Sequence, residues 1–306
     1  MRAPKTDDHQ TPLGRIAELT RDYPEGITQT IVPYLSVIRC DRQTSFEPGV
    51  ITPSFCVIVR GQKRVYLGEE ILEYSDGDSL SSLVAIPATG MVVGATRENP
   101  YIGLKIDLNL HEIAAVITEA DLRFEEQDNG LRVGAFVGKA SRDILEIFLK
   151  IIQLLEKPEE VYLSKLLKKE MIFRLLTGEY GPLFFQKALF DQNGNGVGRV
   201  IEWIRQNYTS GLSIDELARS YGMSVSALHH KFKAITTMSP LQYQKQLRLT
   251  EARRLLVSGQ MDATTAALEV GYESPSQFNR EYRRLFGLPP LKDVRSFRQN
   301  SSERFN

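Results

Sequence analysis

The chain is poor in the residues that most often carry chemistry. Its 306 residues include two cysteines, Cys40 and Cys56, and one tryptophan. Two cysteines make no disulfide framework, and they do not form a pair with zinc spacing. The four histidines are His9, His111, His229 and His230. No Gly-rich phosphate loop and no Gly-x-Ser-x-Gly elbow occurs. No apolar run reaches the roughly 18 residues of a membrane span. The first ten residues, MRAPKTDDHQ, lack the apolar core of a signal peptide. The expected location is the cytoplasm, without a membrane partner. Net charge is missing too, since 38 Lys and Arg balance 38 Asp and Glu.

That balance hides an asymmetry. Residues 197–306 hold 16 Lys/Arg against 10 Asp/Glu, while residues 1–196 hold 22 against 28. An excess of cations in one half suits a polyanionic partner, and an acidic half suits sensing or partner contact. The length and ordinary composition predict two soluble domains.

What is present is one local pattern, written twice. The first copy is SIDELARSYGMSVSALHHKFK from Ser213, and the second begins at Asp262, about fifty residues on. Ser213 with Glu216 reads as a capping box, Gly222 as a left-handed stop, and Ser224 as the next cap. In the second copy Asp262 caps, Gly271 turns, and Ser274 caps again. Pro275 stands at the first helical position and Gln277 is placed to complete a capping box. Leu228 and Phe232 stand four and eight residues after Ser224, as Phe278 and Tyr282 do after Ser274. That spacing puts each pair on an inward face. The other faces carry Ser226, His229, His230 and Lys233 in one copy, and Ser276, Gln277, Arg280 and Arg283 in the other.

Helix, Gly turn and helix with a polar outer face is the helix-turn-helix arrangement, whose second helix enters the DNA major groove. The joining stretch from Ser239 to Gly259 carries an apolar stripe of Leu241, Tyr243, Leu247, Leu249, Ala252, Leu255 and Leu256. As a helix it spans roughly 30 Å, close to the roughly 34 Å between successive major-groove faces. Double-stranded DNA is the expected partner. Arg280 could read guanine and Gln277 adenine, with Lys233, Arg283 and Arg284 on phosphate or in solvent.

Residues 197–298 resemble the DNA-binding domain of AraC/XylS-type bacterial transcription regulators. The markers are GMSVSALHHKF, RLTEARRLL and VGYESPSQFNREYRRLFGLPP, in the family's order. The resemblance implies seven helices, and base or phosphate contacts from Ser226, His229, His230, Ser276, Gln277 and Arg280. It further implies a transcription regulator that works with RNA polymerase as a homodimer, an activator being expected ahead of a repressor. The chain departs from the family at Ala266, where a larger aliphatic residue is usual, so a thinner local core is expected.

The first half reads as many short strands after a helix at Leu13–Arg21. The strands are Tyr34–Arg39, Ser54–Arg60, Arg64–Leu67, Ile71–Tyr74, Ser81–Pro87, Met91–Ala95 and Tyr101–Asp107. SFCVIVR is apolar almost throughout, which predicts burial on both faces. Residues 1–10 read as disordered, and 120–139 as a loop or irregular edge. Ser141–Leu155 and Glu160–Leu176 read as an antiparallel helix pair, and Asp191–Gly198 as a linker.

The segment PSFCVIVRGQKRVYLGEEILEYSDGD, through Gly61, Lys63, Arg64, Leu67 and Gly68, resembles the N-terminal domain of an AraC-type subgroup. The resemblance implies a cupin-like barrel followed by helices used for dimer contact. The fold class expected is α+β in two domains, an N-terminal cupin-like β-barrel with helices and a C-terminal all-α domain with two helix-turn-helix motifs. The expected boundaries are 1–139 for the sensor domain, 140–190 for the dimerisation helices and 197–298 for the DNA-binding domain.

A metal-dependent cupin needs clustered His and carboxylate ligands, and only His111 stands near the barrel, so no metal and no cofactor is expected. Neither a cupin-type enzyme nor a methyl acceptor with a reactive Cys cluster is favoured, and no catalytic residue is expected. Cys56 reads as a small apolar residue in a buried strand. It and Cys40 become electrophile-sensing thiols only if cations such as Arg39, Arg42, Arg60 or Arg64 depress a thiol pKa. The sensor domain is expected to bind a small-molecule effector or a protein partner.

Overall fold

The computed structural model describes residues 11–68, 70–123, 134–185, 196–259 and 261–302. Residues 1–10 and most of the linker, 191–195, lie outside that set. The linker's last residues do not: Gly196 caps a helix in which Val197 and Gly198 already take part.

The N-terminal half opens with α1 (Pro12–Leu19), capped where the Thr11 hydroxyl accepts from the Gly14 N–H at 3.0 Å. Nine strands follow: β1 (Gly26–Gln29), β2 (Leu35–Cys40), β3 (Glu47–Ile51), β4 (Ser54–Arg60), β5 (Gln62–Leu67), β6 (Glu70–Ser75), β7 (Asp78–Ser82), β8 (Ile86–Val93) and β9 (Tyr101–Asp107). Then come α2 (Leu110–Glu119), β10 (Ala135–Lys139), α3 (Arg142–Leu154) and α4 (Leu163–Thr177). The strands form two antiparallel sheets, ordered β1-β2-β9-β4-β7-β10 and β3-β8-β5-β6.

The six-stranded sheet is buried on both faces because its central strands are apolar at successive positions. Phe55, Val57 and Val59 of β4, with Leu104 and Ile106 of β9, face the helices and pack on Ile16, Phe148 and Met171. Cys56 and Ile58, with Tyr101, face the four-stranded sheet. Period-two alternation sorts the strand residues between these two cores.

Several sequence readings shift. The strand expected at Ser81–Pro87 is the end of β7 and the start of β8, joined through Leu83–Ala85, and the second part continues to Val93. β1 and β3 are edge strands with half-exposed residues and give little alternation to read. Residues 135–139, expected to be irregular, pair with β7 as β10. That pairing is non-local, and its five residues include Gly138, so no local period announces it. The helix pair is present, and α4 begins at Leu163 after a 3₁₀ turn at Pro158–Glu160.

The C-terminal half holds α5 (Val197–Gln206), α6 (Ile214–Ser220), α7 (Val225–Thr236), α8 (Pro240–Val257), α9 (Ala263–Glu269), α10 (Pro275–Phe286) and α11 (Pro290–Ser302). These are the seven helices the resemblance implies. The helices α5 to α7 and the start of α8 share one apolar core with the inner face of the β domain. The buried Tyr243 hydroxyl donates to the Ala85 carbonyl at 2.8 Å, and the Gly134 N–H donates to the Ile235 carbonyl at 2.8 Å. The rest of α8 with α9 to α11 forms a separate core, in which Ala266 is fully buried.

Candidate nucleic-acid interface

Each recognition-type helix is started by a side-chain cap. The Ser224 hydroxyl accepts from the Ala227 N–H at 3.2 Å, and the Ser274 hydroxyl from the Gln277 N–H at 3.3 Å. Gly222 and Gly271 sit at φ +66° and +89°, the left-handed conformation that ends α6 and α9. Inward, Leu228, Phe232, Phe278 and Tyr282 are all completely buried. Outward, Ser226, His230 and Lys233 of α7 are exposed and His229 is half-buried. Ser276, Gln277, Arg280 and Arg283 of α10 are all exposed. The structure thus gathers the eight expected residues into two polar faces, four on each helix.

The joining helix α8 has 18 residues, or about 27 Å. A full capping box starts it: Ser239 accepts from the Gln242 N–H at 3.3 Å, and Gln242 accepts from the Ser239 N–H at 3.0 Å. Its stripe is buried except at Leu241, which is 51% exposed.

Residues that the sequence reading passed over hold the two motifs together. Arg248 of α8 donates to the carbonyls of Tyr208 (2.6 Å), Ser210 (2.8 Å), Thr209 (3.1 Å) and Gly271 (2.8 Å). One guanidinium therefore ties the loop before the first motif to the turn of the second, using its planar fork of donors. Burial lowers its pKa. The approach is close, since a Cβ on Gly271 would lie 2.1 Å from the Thr209 carbonyl oxygen.

A second network orients α10. Glu281 accepts from Lys245 (3.0 Å), the Tyr272 hydroxyl (2.8 Å) and the Gln277 amide (3.3 Å). Burial raises the Glu281 carboxyl, but the hydrogen bonds from Lys245, Tyr272 and Gln277 outweigh it and hold it below its ordinary value. Gln277 was expected to complete a capping box. Its side-chain amide turns instead to Glu281, a charged acceptor one helical turn along. Behind α10, the Tyr282 hydroxyl (2.8 Å) and the Arg253 guanidinium (2.8 and 3.0 Å) meet at Asp293.

The β domain approaches α7 from one side. His230 and Lys233 line a groove of about 590 Å³ with Gly68 of the β5–β6 turn and Glu70 at the start of β6. Between the two sheets lies a further cavity of about 470 Å³, reached by both Cys40 and Cys56. Neither cysteine is in a disulfide. Burial pushes the Cys56 thiol up, and the cations acting against that are Lys63 and Lys105 rather than the arginines considered from sequence. A raised thiol is the less reactive state. Among the described residues no group of three or more His, Cys, Asp or Glu is placed to hold a metal ion, and no helix is long and apolar enough to cross a membrane.

Comparison with known proteins places the chain further. Residues 31–183 match the family model described as the AraC-type transcriptional regulator N-terminus, and residues 217–296 match a helix-turn-helix domain. The virulence regulon transcriptional activator VirF of Yersinia enterocolitica is 25% identical over 192 residues, covering 62% of this chain and 69% of VirF. The transcriptional activator RhaS of Pectobacterium carotovorum is 30% identical over 106 residues, covering 35% of this chain and 38% of RhaS. In fold, the chain is similar to ToxT of Vibrio cholerae in its unsaturated-fatty-acid-bound form. That likeness has a TM-score of 0.51 at 8% identity, over 85% of this chain and 94% of ToxT.

Proposed function

Because this chain belongs to the AraC family of transcriptional regulators, we propose that α7 and α10 are its two reading helices, laid into successive major grooves on one side of a duplex. The chain is a DNA-binding transcriptional regulator. In this reading Arg280 makes a bidentate contact with guanine and Gln277 with adenine. Ser226, His229, His230 and Ser276 touch base edges or the adjoining backbone, and Lys233 and Arg283 neutralise phosphate. The repeated geometry carries the proposal: two capped helices, each with a buried aromatic or aliphatic pair behind four polar residues, bridged by α8 and clamped by Arg248.

The β domain is the sensor. Its inner face and the helices behind α7 form one apolar core, so an effector in the cavity between the sheets acts on the packing that sets the angle of α7. A second copy of the chain docks on α4, whose outer side leaves Tyr162, Leu166 and Phe173 exposed at helical spacing. The bound protein activates by contact with RNA polymerase, as suits its similarity to two activators. The reading requires no metal, no cofactor and no catalytic residue.

Selecting bound duplexes from a random pool, then titrating them at several salt concentrations, tests this. Gln277→Ala should cost about 1–3 kcal/mol of discrimination at one base position and leave non-specific affinity intact. Uniform weakening on every sequence would make Gln277 a backbone contact and sink the base assignment.

A further inference from the structure

The cavity between the sheets is apolar over most of its wall, through residues such as Ile38, Val65, Leu80, Ala88 and Val92. Among the polar groups that interrupt that wall are the donors Lys63, Tyr74 and Tyr101. Lys63 lies on β5 at the same parity as the buried Val65 and Leu67, so its side chain leaves the inward face. Among the described residues no carboxylate lies within ion-pair distance of it. The other cavity lysine, Lys105, is already engaged with Asp107 at 2.7 Å and with Thr52 at 3.1 Å. Tyr74 and Tyr101 are each 3% exposed and both line the cavity. Neither hydroxyl makes a hydrogen bond to another described residue, although a buried tyrosine hydroxyl ordinarily finds a partner.

The three donors belong together. Lys63 and Tyr74 face each other across the β5–β6 ladder, and Tyr74 and Tyr101 line the same cavity. Two glycines clear their space. A Cβ on Gly103 would lie 2.7 Å from the Tyr101 hydroxyl, and one on Gly90 would lie 3.4 Å from Lys63 Cε. The carboxylates at the cavity are Glu25, just before β1, and Glu47, the first residue of β3; both strands are edges, away from this cluster in the sheet order.

We propose that this cavity binds a small apolar monocarboxylate, its carboxylate held by Lys63, Tyr74 and Tyr101 and its hydrocarbon body against the aliphatic wall. One uncompensated ammonium balances one negative charge, and three donors suit the two oxygens of a carboxylate. A phosphate would bring a charge that Lys63 alone does not match. A sugar would need acceptors for its hydroxyls deep in the cavity, where the wall is aliphatic. The inference rests on the reading of the β domain as a sensor and names the chemistry of what it senses.

Calorimetric titration of the full-length protein tests it, using hexanoate, octanoate and phenylacetate, each against its matched alcohol. At least one acid should bind with one-to-one stoichiometry, and its alcohol should bind at least about tenfold more weakly. Lys63→Met and Lys63→Gln, each checked for a native circular dichroism spectrum, should abolish that preference, and Tyr101→Phe should reduce it. Equal binding of acid and alcohol would overturn the proposal, as would failure of all three acids to bind or a preference that survives both Lys63 variants. Ligand-free duplex binding is measured beside it in wild type and variants. If duplexes are bound and no acid is, this inference alone fails; if no duplex is bound selectively, the regulator reading fails first.

Discussion

The guanidinium of Arg248 donates to the carbonyl of Gly271 at 2.8 Å while it also holds Tyr208, Thr209 and Ser210. A residue in the middle of the joining helix thus fixes the turn of the second motif to the loop that precedes the first. Replacing Arg248 by Met strands up to four carbonyls. At about 1–3 kcal/mol for a lost charged hydrogen bond or a buried group left unsatisfied, the variant should lose several kcal/mol of stability. Chemical denaturation measures the loss. Affinity for a two-site duplex should fall by a larger factor than affinity for either half-site alone. Equal losses on all three duplexes would mean that Arg248 does not set the spacing of the motifs.

The two turn glycines should respond differently to alanine. Gly222 and Gly271 both have positive φ, but a Cβ on Gly222 meets nothing within 4 Å, while one on Gly271 meets the Thr209 carbonyl oxygen at 2.1 Å. Gly222→Ala should cost about 1 kcal/mol from conformation alone. Gly271→Ala must also separate two backbones and should cost more, about 3 kcal/mol or above. Equal midpoints for the two variants in denaturant would contradict this difference.

Tyr243 joins the domains. It is completely buried and donates to the Ala85 carbonyl at 2.8 Å. Tyr243→Phe keeps the ring and removes the donor, so stability should fall by about 1–2 kcal/mol. Hydrogen exchange should rise first at the β7–β8 connection and at the start of α8. An unchanged exchange pattern would mean that this contact does not hold the halves together.

Acid should act through Glu281. Its carboxyl is held below its ordinary value in the folded chain, where three donors outweigh the effect of burial. The unfolded chain therefore binds more protons there, and stability rises with pH through that range. The contribution is complete above the ordinary carboxylate value and is lost as pH falls through the lowered one. Thermal midpoints of wild type and Glu281→Gln should differ at neutral pH and converge in acid. A gap that does not change with pH would contradict the assignment.

The reading motifs were legible because their signals are local and redundant. Ser224, Ser274 and Asp262 cap, Gly222 and Gly271 turn, and Phe232 and Tyr282 repeat at the same offset, so each copy carries its signals within one short stretch of chain. The nearly continuous apolar run SFCVIVR likewise announced a strand buried on both sides. The parts that were missed depend on distant partners. β10 exists because β7 offers it an edge, and Arg248 acts on carbonyls whose positions follow from the packing of three helices. Gln277 shows the same limit at the site itself. Its spacing from Ser274 suggests a capping box, but the charged acceptor Glu281, held by Lys245 and Tyr272, draws its side chain the other way. The cavity donors Lys63 and Tyr101 lie 38 residues apart in the chain and come together only through sheet pairing.

The most direct test of the two-helix account is hydroxyl-radical footprinting of the protein on a duplex selected from a random pool, wild type beside Arg280→Ala. The account predicts two protected patches on one face of the duplex, about one helical turn or 34 Å apart. In Arg280→Ala the patch under α10 should fade while the one under α7 persists. A single patch in wild type, or two patches untouched by the substitution, would contradict the assignment of α7 and α10 as paired reading helices.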